Sequence, residues 1–146
     1  MKWAPGLRVL LVSDDPRLVS SLRQAFTDMG FVVESSLDAG QAVQSLLAHV
    51  PDLVCVSLNL PSDSGYGVCE LIRGDRSLAN VRILVLSDRH LPEDIAYAEE
   101  AGANGFLRVP FSLDRLGSYV KALFEDTVPS RPGLRQLQPS EPPLSS

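Results

Sequence analysis

The stretch Pro51-Asp52-Leu53-Val54-Cys55-Val56-Ser57-Leu58-Asn59-Leu60-Pro61 decides how the whole chain folds. Leu53 to Val56 is an unbroken apolar run with no polar alternation. Such a run fits a strand covered on both faces, as in a parallel sheet between two helical layers. It breaks into Ser57, Asn59 and a proline that cannot extend a ladder. Working outward, Arg8-Val9-Leu10-Leu11-Val12 is a run of the same kind, and Phe31-Val32-Val33 is a shorter one. Downstream, Val81 to Leu86 and Gly105-Phe106-Leu107-Arg108 supply two more.

Helical periodicity fills the gaps between these runs. Asp15-Pro16 pairs a capping residue with a proline suited to a first turn. Behind it Leu18, Leu22, Ala25, Phe26 and Met29 share one helical face, and Gly30 stops the helix. Asp38 opens a second helix carrying Ala42, Val43, Leu46 and Leu47. A loop with Pro61 and Gly65 leads to a third helix with Val68, Leu71 and Ile72. Leu91 to Ala101 reads as a fourth, ended by Gly102. The fifth spans about Ser112 to Phe124 and points Leu113, Leu116, Val120 and Leu123 inward. Five consecutive βα units predict an α/β, doubly wound parallel sheet with helices on both faces.

The expected domain covers residues 7–125. Residues 126–146 form a second region of different character, with five prolines from Thr127 onward and little that could build a core. That composition predicts disorder. The Pro139-Ser140-Glu141-Pro142 pattern in it is of a kind that arises by chance in proline-rich tails.

A chain of 146 residues suits one domain with a real core. Its net charge of -5 speaks against a nucleic-acid-binding surface. No apolar run is long enough to span a bilayer, and the start of the chain lacks a secretory h-region. Two cysteines, Cys55 and Cys69, make neither a disulfide framework nor a metal-ligand spacing. A reduced cytoplasmic location is the expectation.

In an open parallel sheet, ligands sit beyond the carboxyl ends of the strands. The first strand delivers Ser13, Asp14 and Asp15 there; the third delivers Ser57 and Asn59. The fourth delivers Ser87 and Asp88, and the fifth Val109 and Pro110. With the segments Val9–Pro16, Pro51–Pro61, Ile83–Ser87 and Ala101–Phe111 in order, the chain resembles the CheY-like receiver domain of bacterial response regulators. The resemblance covers roughly Leu7 to Phe124. It implies a flavodoxin-like sheet in the order 2-1-3-4-5 with five helices, and a cis peptide bond before Pro110.

The resemblance also implies roles, position by position. Ser13 and Asp14 stand where the family has two Mg²⁺-binding acids. Ser57 stands at the phosphate-accepting aspartate. Ser87 keeps the hydroxyl that contacts the phosphoryl group. Val109 replaces the lysine that pairs with it, and Phe106 matches a switch aromatic, read here as fixed and packed.

Three of the five reactive positions are therefore altered. A serine hydroxyl is not the anionic nucleophile that a carboxylate is. Mg²⁺ asks for hard oxygen ligands, and Asp14 is the one acid retained, Asp15 being occupied as a helix cap. A lysine in such a cleft without its counter-charges would be costly. The expectation is a degenerate pocket of Ser13, Asp14, Ser57, Asn59, Ser87, Phe106 and Val109, with no catalytic residue, no metal site and no cofactor. His90, alone on a loop, receives no role.

The function expected is a stand-alone, atypical receiver in two-component-type signalling. It would act by protein–protein contact without aspartate phosphorylation and would not be an enzyme. The alternatives are a receiver switched by phosphate or metal through an unusual route, and an α/β domain that binds a small molecule. The partner would be a protein of unknown identity or a second copy of the chain, not nucleic acid and not a membrane. By analogy the contact face would involve Tyr97, Glu99, Glu100, Arg108, Arg115 and Tyr119.

Overall fold

A computed structural model of the protein describes residues 3–60, 64–88 and 91–125. The proline-rich region from 126 onward, Pro61 and His90 lie outside the described residues. The elements alternate strictly: β1 (Arg8–Val12), α1 (Pro16–Met29), β2 (Val32–Ser36), α2 (Ala39–Ala48), β3 (Leu53–Ser57), α3 (Gly65–Arg73), β4 (Arg82–Ser87), α4 (Pro92–Ala101), β5 (Gly105–Arg108) and α5 (Leu113–Glu125). A short 3-10 turn at Arg76–Leu78 lies between α3 and β4.

The strands form one parallel sheet in the order β2-β1-β3-β4-β5. β1 and β3 pair side by side at its centre, Val9 opposite Leu53 and Val12 opposite Val56. Their residues are almost wholly buried, as the unbroken apolar runs require. The sheet separates two cores. Leu10, Val12, Val54, Val56, Val85 and Phe106 face α2, α3 and α4. Val9, Leu11, Leu53, Cys55, Leu84 and Leu107 face α1 and α5. Each of the fully buried large side chains contributes about 1.5–3 kcal/mol relative to exposure.

The helix caps follow the sequence. The Asp15 carboxylate accepts from the amides of Arg17 and Leu18 at 3.0 and 3.3 Å. The Asp38 carboxylate accepts from Gln41 at 2.9 Å. Gly30 closes α1 and Gly102 closes α4, both in the left-handed conformation.

Several sequence expectations need correction. β2 begins at Val32 and runs on to Ser36, later than Phe31–Val33, because an edge strand has no two-sided apolar run to mark it. Leu47, Leu71 and Leu113, expected inside, are 78%, 44% and 54% exposed. Each lies just outside the arc its helix turns to the sheet, where Cys69 in α3 and Tyr119 in α5 are buried instead. The packed body also reaches upstream of position 7. Ala4 is buried, and Trp3 packs edge-on against Phe31 and Phe124.

Candidate functional site

Parallel strands place all their carboxyl ends on one edge of the sheet, and there the chain forms a hollow of about 200 Å³. Ser13, Asp14 and Asp15 line it from the end of β1, and Ser57 and Asn59 from β3. Ser87 and Asp88 line it from β4, and Val109 from beyond β5. Six of the seven pocket residues read from the sequence thus meet in one place. Phe106 does not. Its ring is buried within the core that faces α3 and α4 and does not line the hollow. Asp15 and Asp88 also line the hollow, as does Leu18 from α1. Asp15 and Asp88 are where their strand ends, read from the sequence, deliver them.

The backbone fixes these positions firmly. The Ser13 amide donates to the Ser36 carbonyl at 3.0 Å, and the Ser13 hydroxyl accepts from the Asp15 amide at 3.1 Å. The Leu58 amide donates to Leu86 at 2.9 Å, carrying the β3–β4 ladder past Ser57. Gly65 starts α3 directly over the end of β3; a Cβ there would lie 2.5 Å from the Ser57 carbonyl oxygen. The Val109 amide donates to the Ser87 carbonyl at 2.8 Å, and the Val109–Pro110 bond is cis. Ser13 and Ser87 are buried; Ser57 is partly open to the hollow; Asp14, Asp15, Asn59 and Asp88 sit at its exposed rim.

Chemically the floor is neutral. Three hydroxyls and the Val109 side chain surround the space, and the carboxylates ring its mouth. This arrangement does not fit a resident divalent ion. Asp15 is committed to the start of α1, the Ser13 hydroxyl to the Asp15 amide, and Ser57 offers no charge. Among the described residues no group of three or more His, Cys, Asp or Glu side chains could hold a metal. Cys55 and Cys69 lie away from the hollow, and burial pushes the Cys69 thiol up to about 12.

The sequence profile of the response regulator receiver domain matches residues 9–121. The chain belongs to the receiver family. The sensory transduction protein BceR of Bacillus subtilis is 34% identical over 117 residues, covering 80% of this chain and 49% of BceR. The transcriptional regulatory protein TcrA of Mycobacterium tuberculosis is 32% identical over 141 residues, 93% of this chain and 55% of TcrA. The receiver therefore spans about half the length of these curated relatives. A putative response regulator from Chloroflexus aurantiacus has the same fold, with a TM-score of 0.79 at 26% identity, over 83% of this chain and 99% of that one. No helix among the described residues is long and apolar enough to cross a membrane.

The face expected to carry contacts is exposed in part. Tyr97 is 60% exposed, and Glu99, Glu100, Arg108 and Arg115 are exposed beside it in α4, β5 and α5. Tyr119 is a correction. It is buried, with its hydroxyl turned onto the backbone of Phe106, so it supports the face from beneath.

Proposed function

We propose that this receiver is an atypical one, which signals through protein–protein contacts without being phosphorylated on aspartate. The observation that carries the reading is Ser57. It occupies the end of the central strand β3 and opens onto the hollow, where the family's chemistry calls for a carboxylate. Transfer of a phosphoryl group needs an anionic nucleophile, a metal to neutralise charge and a cation on the phosphoryl oxygens. Ser57, Ser13 and Val109 weaken all three requirements together. On this reading the protein is not an enzyme, holds no cofactor, and works in the cytoplasm with a protein partner or a second copy of itself. The exposed Tyr97, Glu99, Glu100, Arg108 and Arg115 are its contact surface.

A titration tests the proposal. Millimolar Mg²⁺, with and without a beryllium fluoride complex, should leave the melting temperature and the amide spectrum unchanged. A ligand that does not distinguish two states cannot shift their balance. A saturable rise in melting temperature with Mg²⁺ and beryllofluoride would overturn the reading in favour of a receiver switched by an unusual route.

A further inference from the structure

Two of the side chains that line the site hollow, Leu18 and Val109, also line a larger groove of about 600 Å³ between α1 and the turn from β5 to α5. The two spaces adjoin across this pair, and their chemistry differs. The groove is apolar. Pro110, Phe111 and Leu113 wall it from the turn, while Ser21 and Gln24 mark its exposed edge on α1. The hollow, about 200 Å³, is polar.

The polar groups of the hollow are poorly matched by one another. Ser13 is 3% exposed; its oxygen accepts from the Asp15 amide, but its own O–H reaches no acceptor among the described residues. The Ser57 hydroxyl, partly open, bonds to no described residue. The Asp14 and Asp88 carboxylates accept from none. Among the described residues no lysine, arginine or histidine lines either space. Buried hydroxyls in folded proteins find partners, so a donor such as Ser13 calls for an acceptor that enters from outside.

We infer that the hollow and the groove together bind a small amphiphilic amine. Its apolar body, best a ring, lies in the groove, and its head, an ammonium with an adjacent hydroxyl, enters the hollow. Each part follows from what faces it. The ammonium meets the Asp14 and Asp88 carboxylates, which form charge-assisted hydrogen bonds with it. The hydroxyl oxygen accepts from Ser13 or Ser57. The body packs on Phe111 and covers Leu18 and Leu113. An anionic head would face the two carboxylates with no cation to offset them. The groove lies within the roughly 300–1,000 Å³ usual for small-molecule sites, which are mostly apolar with a few placed polar groups. Val109 directly follows Arg108 of the proposed contact surface, and its amide holds to Ser87. A ligand that prefers one arrangement of this turn shifts the population of that surface. Binding is independent of whether an aspartate is phosphorylated, so its failure leaves the reading above standing.

The probe is phenylalaninol, whose amine is protonated at neutral pH, titrated into the full chain and followed by amide shifts. Two relatives separate its parts. Hydrocinnamate has the body with an anionic head, and ethanolamine has the head with no body. Phenylalaninol should shift Ser13, Ser57, Leu18 and Val109 saturably, with a Kd of about millimolar, as suits a fragment. Each relative should bind at least about tenfold more weakly. Val109→Lys puts a cation where the two spaces adjoin, and Ser21→Trp fills the groove from the exposed side of α1. Each should weaken the probe about tenfold, with the melting temperature checking the fold. Shifts that do not saturate, equal binding of either relative, or undiminished binding in either variant would overturn the assignment.

Discussion

The hydroxyl of Tyr119 stands 2.9 Å from the carbonyl oxygen of Phe106 and 3.3 Å from its amide nitrogen. It donates to the first and accepts from the second. One side chain of α5 thereby serves two backbone groups of the edge strand β5, at the residue that matches the family's switch aromatic. Phe106 itself is 2% exposed. The contact ties together α5, β5 and the packing of that ring.

Tyr119→Phe removes both bonds while keeping the ring. Loss of a buried hydrogen-bond partner costs about 1–3 kcal/mol. Urea denaturation should show a loss in that range with an unchanged m-value, and amide exchange at Phe106 should accelerate. A variant as stable as the parent would show that the hydroxyl contributes nothing.

Gly65→Ala tests how closely α3 sits on the end of β3. The new Cβ would meet the Ser57 carbonyl oxygen at 2.5 Å, and backbone cannot retreat as a flexible side chain can. Overpacking of this kind costs about 1–3 kcal/mol. Thermal melting should drop accordingly, and amide shifts should change first at Ser57 and Leu58. Gly102→Ala should also destabilise, through its φ of 102° and the collision of its Cβ with the Arg73 side chain.

The thiols give a pH prediction. Burial raises the Cys55 and Cys69 pKa values above the usual thiol range, the latter to about 12. In the folded state both stay protonated and enclosed, so alkylation at pH 8 should be slow for each. In the unfolded chain they ionise near pH 8.5. The linked stability is therefore fully present below that pH and is lost as pH rises toward 12. Mass mapping after iodoacetamide, with and without denaturant, checks the first part. A denaturation series from pH 7 to pH 10 checks the second.

Restoring one residue of the site should not restore its chemistry. Ser57→Asp supplies a nucleophile, but Ser13 still withholds a metal ligand and Val109 a cation. The triple variant Ser13→Asp/Ser57→Asp/Val109→Lys supplies all three at positions that line one hollow. It should gain a Mg²⁺-dependent response to beryllofluoride that the single variant lacks. A full response from Ser57→Asp alone would show that the other two changes are incidental.

The central strands were legible in the sequence because burial on both faces leaves continuous apolar runs, as in Leu53–Val56. β2 was misplaced because it lies at the sheet's edge, where Val32 and Glu34 are exposed and no such run survives. Leu47, Leu71 and Leu113 misled because a helical stripe gives the direction of the core and not its width. Tyr119 was placed on the contact face by analogy with the family, while its hydroxyl's partner is a backbone edge that only the fold brings near. The six pocket residues were legible because parallel strands deliver their ends to one edge. Phe106 was grouped with them by analogy of role, and strand alternation turns its ring into the core that faces α3 and α4.

The most direct test is incubation of the unmodified protein with acetyl phosphate and millimolar Mg²⁺, followed by intact-mass analysis and peptide mapping. The account predicts an unchanged mass and no modified peptide. A stable mass increment of one phosphoryl group mapping to Ser57, Asp14 or Asp15 would contradict it.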